Sequence, residues 1–313
     1  MSKLSDQING LLLLDKPVGI SSNQALSKAK RCLKSRKAGH AGTLDPFANG
    51  LLLCAFGQAT KANAYLLKAD KTYRAQLKLG IATATGDTEG ETIQSSALPQ
   101  LGLQQWQVLA DQFIGQQQQT PPMYSALKHN GVPLYELARK GQVVERQSRS
   151  IVIHDLQVTT IDNDLLSFEV SCSTGTYVRT LAEDLAKAAG TVGHLQTLRR
   201  LSIGEFNVVN AVSLEQLDTA VSMQTPIDEL LLPPEDALLH LPRVSLDVDQ
   251  TAKFLFGQTL TLDSLSINSA ELEGFQMNDL CRIFSPDHFL GVGVVVNGGL
   301  RTQRLFTRTG VDS

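Results

Sequence analysis

The chain has 313 residues, of which 42% are hydrophobic and 19% are charged. This is enough apolar sequence for one large core and a small second one, and it excludes a disordered protein or a disulfide-stabilised mini-domain. The four cysteines form no C-x-x-C pair, which argues against a zinc finger or a redox dithiol. No apolar run is long enough to cross a bilayer, and the polar N-terminus lacks a signal-peptide pattern, so we expect a cytoplasmic protein.

The net charge of −3 conceals a strong polarity along the chain. Residues 1–150 carry 18 lysines and arginines against 10 aspartates and glutamates, a net charge of +8, whereas residues 211–313 carry 6 against 14, a net charge of −8. A polyanion would be attracted to the basic part, although a solvated helix face explains such a block equally well. No acidic residue stands between Asp15 and Asp45, where the basic residues are Lys16, Lys28, Lys30, Arg31, Lys34, Arg36 and Lys37.

The first predicted elements are a buried strand, a basic helix and a loop. Residues 11–14 form a short apolar run that ends in a turn, which favours a buried strand. Ser21 or Ser22 then caps a helix whose apolar residues recur at a spacing of three and four, which leaves the lysines and arginines on its other side. Residues 39–46 are too rich in glycine and proline for a regular element, so we predict an ordered loop.

Two further strands follow from strict alternation of apolar and polar residues. Residues 72–79 place Tyr73 on the apolar face of a half-buried strand. Residues 166–172 repeat this period and lead into an apolar-periodic helix that ends at Gly190. Tyr177 and Arg179 therefore lie at a junction between a strand and a helix.

The remaining parts of the chain carry weaker signals. The polar tract at residues 116–119 precedes two prolines and is predicted to be a loop. Residues 291–296 are typical of a strand, and Asn297 with Gly298 indicates a hairpin turn. The C-terminal part is therefore expected to be a small β-rich domain.

Several residues could carry chemistry, and each has a structural alternative. Asp45 stands in the glycine-rich loop, where it could equally accept hydrogen bonds in an Asp-Pro turn. Arg179 could keep such a carboxylate ionised, or it could be a surface residue. Tyr73 could stack on a nucleobase or simply pack in the core, and His40 could bind a phosphate or a base edge or be an ordinary loop histidine.

The familiar metal and cofactor motifs are missing from the sequence. Its six histidines show no metal-ligand spacing, and it contains neither a phosphate-binding P-loop nor a dinucleotide fingerprint. A G-x-S-x-G nucleophile motif is also missing. We therefore expect neither a metal nor a cofactor.

The loop around Asp45 belongs to a set of motifs in a fixed order over roughly residues 9–205. The set resembles the motifs of TruB-type tRNA pseudouridine synthases, with Ala41 standing where that family often has threonine. The motifs are Leu14-Asp15-Lys16-Pro17 with Gly19 and Ser21-Ser22-Asn23, Gly39-His40-Ala41-Gly42-Thr43-Leu44-Asp45-Pro46 with Gly50, Lys71-Thr72-Tyr73-Arg74, Pro122-Met123-Tyr124-Ser125-Ala126-Leu127-Lys128 with Leu134-Tyr135-Glu136 and Ala138-Arg139, Gly175-Thr176-Tyr177-Val178-Arg179-Thr180 and Leu198-Arg199-Arg200-Leu201.

The resemblance implies that one uridine in the TΨC loop of tRNA, at the position conventionally numbered 55, is isomerised to pseudouridine without a cofactor or metal. It implies that Asp45 is the catalytic nucleophile or base and that Arg179 holds it. Whether Asp45 attacks the base, attacks the sugar or removes a sugar proton is open. It further implies that Tyr73 stacks on the uracil and assists proton removal from C5, that Tyr177 and Leu198 line its pocket, and that His40 holds the rearranged tRNA loop.

Binding of a folded tRNA loop places further demands on the protein. The base must be extruded from its stack, which costs a few kcal/mol, and contacts to the RNA backbone offset this cost. The basic segment is expected to supply those contacts through Lys16, Lys30, Arg31 and Lys34. The expected partner is the T-arm of tRNA; no protein partner is evident, and we expect a monomer.

The elements and the resemblance together predict an α+β fold. Residues 1–249 are expected to form a catalytic domain with a mostly antiparallel mixed sheet flanked by helices, the pseudouridine synthase fold. Residues 250–313 are expected to form a small PUA-like domain resembling a β-barrel. Two other functions remain open: a catalytically silent protein that binds or folds tRNA, and a metal-dependent nuclease that uses Asp45, Asp87 and Asp184.

Overall fold

The computed structural model describes residues 8–262, 265 and 276–306. Its helices are α1 (Ser22–Cys32), α2 (Asn63–Leu66), α3 (Leu103–Asp111), α4 (Leu134–Arg139), α5 (Val178–Ala188), α6 (Leu214–Ser222), α7 (Ile227–Leu230) and α8 (Val248–Leu255). Its strands are β1 (Gly10–Lys16), β2 (Ala38–Ala41), β3 (Asn49–Phe56), β4 (Lys71–Leu79), β5 (Ile81–Thr83), β6 (Thr92–Ser95), β7 (Gly115–Gln119), β8 (Lys128–His129), β9 (Val132–Pro133), β10 (Arg149–Asp162), β11 (Leu165–Cys172), β12 (Gly193–Ile203), β13 (Phe206–Asn207), β14 (Arg243–Ser245), β15 (Leu260–Thr261), β16 (Leu280–Phe284), β17 (Phe289–Val296) and β18 (Gly299–Leu305).

A nine-stranded sheet forms the larger part of the molecule. Its order is β1-β3-β12-β4-β11-β10-β7, with β2 paired to β3 and β13 paired to β12. The contact between β3 and β12 is parallel, and the other strand pairs of this sheet are antiparallel. The predicted α+β class with a mostly antiparallel mixed sheet is thus confirmed.

Helices cover this sheet with the apolar faces that their spacing predicts. Ser21 caps α1 by accepting from the backbone of Gln24, whose side chain accepts in turn from the backbone of Ser21. Lys30 and Arg31 occupy the last turn of α1, where cations favour the helix dipole. Helices α3 and α5 contribute Trp106 and Leu185 to the main core, and both side chains are fully buried.

Two predicted loops contain strands instead. Residues 116–119 lie in β7, which pairs with the N-terminal half of β10 at the edge of the sheet. Residues 39–41 belong to β2 and pair with β3. The prediction for residues 116–119 was wrong, and the prediction for residues 39–46 was wrong at 39–41, while 42–46 form the predicted loop. The reason is the same for both: strand formation here depends on partners distant in sequence, and polar or glycine-rich residues carry little intrinsic strand signal.

The C-terminal sheet is small and curled like half a barrel, as predicted. Its order is β14-β16-β17-β18-β15, and the predicted hairpin joins β17 to β18 through Asn297 and Gly298, both with positive φ. Its first strand begins at Arg243, a few residues before the predicted boundary at residue 250, which stays a prediction. Residues 263, 264, 266–275 and 307–313 of the predicted domain lie outside the described residues.

The two sheets share an apolar cluster. Phe284, Phe289 and Phe306 of the C-terminal part belong to the same cluster as Leu11 and Leu53 of the large sheet. The Phe289 ring lies 5.3 Å from the ring of Phe284 and 5.2 Å from that of Phe306. Within the described part of the chain, no helix is both long and apolar enough to span a membrane.

Strands β3 and β12 approach each other closely at Gly50, where φ is +100° and an added Cβ would lie 2.3 Å from the Arg200 carbonyl oxygen. We expect Gly50→Ala to lower the free energy of unfolding by about 2–5 kcal/mol, because left-handed strain adds to the overlap. The matched control is Gly298→Ala, which has a φ of +74° but open space around the Cβ, and should cost about 1–2 kcal/mol. Urea unfolding measures both values, and equal losses would contradict the packing argument.

Candidate active site

The candidate site lies where the strand paired with one edge of β3 changes from β2 to β12. Along one edge, residues 53–56 of β3 pair with β2, whereas Asn49 and Gly50 pair with β12. The connection from β2 to β3, residues 42–48, therefore emerges at the point where β2 ends and β12 begins. Asp45 stands in this connection.

Contacts from three directions hold this connection in place. The buried hydroxyl of Ser22 donates to the Leu44 carbonyl and accepts from the Leu44 amide, at 3.0 and 2.8 Å. The Gly19 amide donates to the Pro46 carbonyl at 2.8 Å. Arg200 donates through Nη2 to the Gly42 carbonyl at 3.0 Å. Because these partners come from distant parts of the chain, tertiary contacts fix the position of Asp45.

Arg179 joins two carboxylates. Its Nε lies 3.1 Å from Oδ2 of Asp45, and its Nη1 lies 3.2 Å from Oδ2 of Asp87. Arg179 and Asp87 are almost completely buried, whereas the Asp45 side chain remains 35% exposed. The predicted pairing of Asp45 with Arg179 is therefore present, and the Asp-Pro turn does not account for the Asp45 carboxylate.

The guanidinium of Arg179 is held in orientation by further bonds. Nη1 donates to the Thr85 carbonyl at 2.8 Å, and Nη2 donates to the Tyr124 carbonyl at 2.6 Å. Asp87 is fixed in turn, since its Oδ1 accepts from the Glu89 amide at 3.0 Å and from the Thr85 hydroxyl. A buried arginine with these partners can neither rotate nor leave without exposing unpaired groups.

Opposing effects act on the pKa of the Asp45 carboxyl group. Burial raises the pKa of Asp45 above its ordinary value, Arg179 beside it lowers the pKa, and the negative charge of Asp87 raises it. Oδ1 of Asp45 makes no hydrogen bond or ion pair within the described part of the chain. One carboxylate oxygen is therefore held by Arg179 while the other is available to a substrate.

Tyr73 and Arg200 are direct cross-strand neighbours on β4 and β12. The Arg200 side chain is fully buried, and its Nε donates to the Leu51 carbonyl at 2.7 Å. Burial raises the pKa of Tyr73, so its hydroxyl keeps its proton at neutral pH. The ring of Tyr73 faces the same cavity as Asp45.

A cavity of about 360 Å³ brings these groups together. Tyr177 and Leu198 line it as predicted, and Gln119 clamps the backbone of Tyr177 from both sides, donating to its carbonyl and accepting from its amide. The lining residues are Gly42, Thr43, Leu44, Asp45, Leu67, Lys71, Tyr73, Ser125, Ala126, Leu127, Arg149, Ser173, Thr174, Gly175, Thr176, Tyr177, Val178, Arg179, Leu198 and Arg200.

The predicted binding residues divide into three groups. His40 is absent from the cavity wall; it lies on β2, and its Nε2 is 3.2 Å from Oδ1 of Asn23 on α1. Arg31 and Lys34 are exposed and Lys30 is partly exposed, so this cluster can meet a polyanion. Lys16 is a correction: it is fully buried and its ammonium donates to the carbonyls of Pro17 and Ile20, so it cannot serve as an exposed phosphate contact here.

The geometry argues against the nuclease alternative. The guanidinium of Arg179 lies between Asp45 and Asp87, in the position that a metal bridging those carboxylates would need. Asp184 makes no ion pair with Arg179 and lies on the exposed side of α5. No group of three or more metal-ligating side chains occurs among the residues that the structure describes.

Family models match almost the whole chain. The N-terminal domain of the TruB family pseudouridylate synthases matches residues 30–178, the tRNA pseudouridylate synthase B C-terminal domain matches 179–239, and the C-terminal domain of pseudouridine synthase II TruB matches 242–306. The chain belongs to the TruB family. It is accordingly a tRNA pseudouridine synthase, an isomerase that converts uridine to pseudouridine, which disfavours a catalytically silent protein.

Relatives and solved structures agree with this membership. The TruB-family chain is 45% identical to tRNA pseudouridine synthase B of Ralstonia pickettii over 303 residues, covering 95% of this chain and 94% of that protein. It is 47% identical to that of Burkholderia lata over 300 residues, covering 95% and 90%. A Cbf5-Nop10-Gar1 complex shares the fold, with a TM-score of 0.74, 24% identity and coverage of 97% and 86%.

Sequence reasoning missed three contributions to this site. Asp87 was considered only as a metal ligand, Arg200 only as part of a motif, and Arg149 not at all. Asp87 and Arg200 carry a signal in retrospect, since charged residues inside apolar-periodic strands or tight turns require buried partners. Their partners, however, lie more than ninety residues away, so spacing alone could not identify them.

Burial and Arg179 have the largest effects on the pKa of Asp45, and the charge of Asp87 contributes to it as well. Because Asp87 raises that pKa, we expect Asp87→Asn to lower it. The value of kcat/KM increases with pH as Asp45 ionises, so its acid limb should move to lower pH in this variant. The plateau of kcat/KM at higher pH should be lower than in the wild type, because Arg179 is less firmly held. Tritium release from C5-labelled uridine measures the profile.

Glu183→Gln is the matched control for this prediction. Burial and Asp184 raise the pKa of Glu183 to about 7, and Glu183 lies near Arg179 but is not among the charges that shift Asp45. The acid limb of the kcat/KM profile of Glu183→Gln should therefore lie at the same pH as that of the wild type. An acid limb of Asp87→Asn that moves to higher pH would contradict the electrostatic argument.

Proposed function

We propose that this TruB-family enzyme isomerises uridine 55 in the TΨC loop of tRNA to pseudouridine, with Asp45 as the catalytic nucleophile or base. The observation that carries the proposal is the ion pair of Asp45 with buried Arg179, at a cavity that also contains the ring of Tyr73. Asp45 is the one carboxylate among the residues that line this cavity. A negative group at that point can act on a neutral nucleoside without an activating partner.

The reaction requires the exchange of two bonds at one sugar carbon. The glycosidic bond from C1′ to N1 breaks, a bond from C1′ to C5 forms, C5 loses its proton and N1 gains one. No oxidant or reductant takes part, since the two nucleosides are isomers. Asp45 supplies the anionic oxygen in any of its three possible roles, attack on the base, attack on the sugar or removal of a sugar proton. Arg179 keeps that oxygen ionised and oriented.

The cavity walls are suited to a uracil that has left its stack. Tyr73 offers a ring whose cross-strand neighbour is Arg200, and stacking of a base on an aromatic ring contributes about 1–3 kcal/mol. Tyr177 and Leu198 complete the walls around it. These contacts offset the unstacking of the target base. His40 lies on β2 outside the cavity wall, and we assign it to binding the rearranged loop of the tRNA.

The cations at the C-terminal end of α1 are assigned to contacts with the RNA backbone. Lys30 and Arg31 lie in its last turn, and Lys34 follows it directly. Ser22, the first residue of this helix, hydrogen-bonds Leu44 of the Asp45 connection, so the helix starts beside the site and we expect the T-arm to run along it. The enzyme acts as a monomer in this proposal and takes the T-arm of tRNA as its partner.

Replacement of the carboxylate tests the chemistry. Asp45→Asn should abolish pseudouridine formation on a tRNA transcript, because the amide has no anionic oxygen, while the affinity for RNA changes by less than about threefold since the side-chain volume is kept. Mass spectrometry with nearest-neighbour mapping locates any product, and filter binding measures the affinity. Asp184→Asn, an exposed carboxylate on α5, is the control and should retain wild-type activity. Product formed by Asp45→Asn would exclude the assigned role.

Removal of the α1 cations tests the RNA path. Alanine at Lys30, Arg31 and Lys34 together should weaken binding and flatten the plot of log affinity against log salt by about two to three units. The matched control replaces Arg74, Lys78 and Lys187, which are equal in charge; Arg74 and Lys78 lie on the face of β4 opposite Tyr73 and pair with Glu169 and Asp164. An unchanged salt slope in the first variant would make its cations an ordinary solvated surface.

A further inference from the structure

The cavity carries more positive charge than a uracil requires. Four cations line it, Lys71, Arg149, Arg179 and Arg200, against the single carboxylate of Asp45. Within the described chain, Arg179 is the one among them that forms ion pairs, with Asp45 and Asp87. Uracil is neutral. The remaining positive charge is therefore directed at another part of the substrate, and the anionic part of a nucleotide in RNA is its phosphodiester.

Two of these cations are bonded to backbone carbonyls of the protein. The ammonium of Lys71 donates to the carbonyls of Leu67 and Ala69, at 3.2 and 2.5 Å. Arg200 donates to the carbonyls of Leu51 and Gly42 and is fully buried. Both side chains are buried and held by these carbonyls, so we assign them to the positive potential of the cavity.

Arg149, the first residue of β10, differs from both. One end of its guanidinium is fixed, because Nη2 donates to the Gly175 carbonyl and Cζ lies 4.9 Å from the centre of the Tyr177 ring. Its Nε is shielded from solvent and has no hydrogen-bond partner among the described residues, and its Nη1 makes no hydrogen bond there either. A shielded donor without a partner is costly, so the site is arranged for an acceptor that arrives with the substrate.

The backbone at Gly175 is adapted to this arginine. Gly175 has a φ of +90°, and a Cβ at this position would lie 3.3 Å from Cζ of Arg149. Glycine therefore allows the guanidinium to approach the 173–176 turn closely while its Cζ lies over the ring of Tyr177. Because Nη2 is committed to the Gly175 carbonyl, Nη1 is the donor that remains for a charge-assisted hydrogen bond to a phosphate oxygen.

We propose that Arg149 binds a phosphodiester of the target nucleotide, on the 5′ or 3′ side of the flipped uridine, and anchors the backbone while Tyr177 faces the base. The proposal rests on the function proposed above and adds the residue that holds the extruded nucleotide. It also explains why the guanidinium is stacked on the ring: one rigid unit fixes the distance between the base pocket and the phosphate. Arg149 touches substrate but does not take part in bond exchange.

The test is a double-mutant cycle that combines a substitution in the protein with a modified phosphate in the RNA. A T-arm stem-loop is made with one neutral methylphosphonate, either 5′ or 3′ of the target uridine, and its affinity is compared with that of the native RNA. We expect one of the two positions to weaken binding to the wild type by about 10- to 100-fold. Arg149→Gln should bind native RNA that much more weakly and should show no further loss with the same methylphosphonate. The position that responds identifies the phosphate.

Controls separate anchoring from folding and from chemistry. Lys187→Gln removes the same charge near the far end of α5, about nine residues from the cavity, and should keep the full methylphosphonate penalty. If Arg149 only supports Tyr177, the methylphosphonate weakens RNA binding to Arg149→Gln as much as it weakens binding to the wild type, and the proposal is wrong. If neither methylphosphonate weakens binding to the wild type, the proposal is wrong even when Arg149→Gln does not fold. Conversion of uridine 55 by the wild type in the same samples shows independently whether the proposed function holds.

Discussion

The active site depends on one buried guanidinium. Arg179 stands between Asp45 and Asp87 with a carboxylate oxygen about 3 Å away on each side, and its other donors end on the carbonyls of Thr85 and Tyr124. A buried charge is stable only when its partners are complete, and here they come from three separate segments of the chain. The catalytic loop, the turn after β5 and the segment before α4 are therefore positioned by a single side chain.

The same principle explains why the cavity is rich in cations that bear no carboxylate partner. Lys71 and Arg200 are neutralised in part by backbone carbonyls, which compensate for lost hydration without cancelling the charge. Burial lowers the pKa of Lys71 to about 8, and Arg200 nearby lowers it too. Such a cavity keeps a positive potential around one carboxylate. It can receive an anionic strand and still hold a nucleophile or base in its charged form.

Local patterns predicted much of this structure. The capping serine of α1, the alternation that places Tyr73 inward, the junction before Arg179 and the hairpin at Asn297 all follow from physics that acts within a few residues. The failures have the opposite origin. β7 is a polar tract that becomes a strand because β10 lies beside it, and Lys16 was predicted to face RNA although two carbonyls of the following turn enclose its ammonium.

Sequence alone determined the family, the order of the motifs and the identity of the groups that could act, because residue types at fixed spacings carry that information. Only the tertiary structure decided which of these groups meet. Asp45, Asp87 and Arg179 are brought together where β12 replaces β2 beside β3, and Arg149 reaches Gly175 and Tyr177 across the turn after β11. Coulombic and hydrogen-bond energies depend on distances between atoms, and distances between remote residues exist only once the chain has folded.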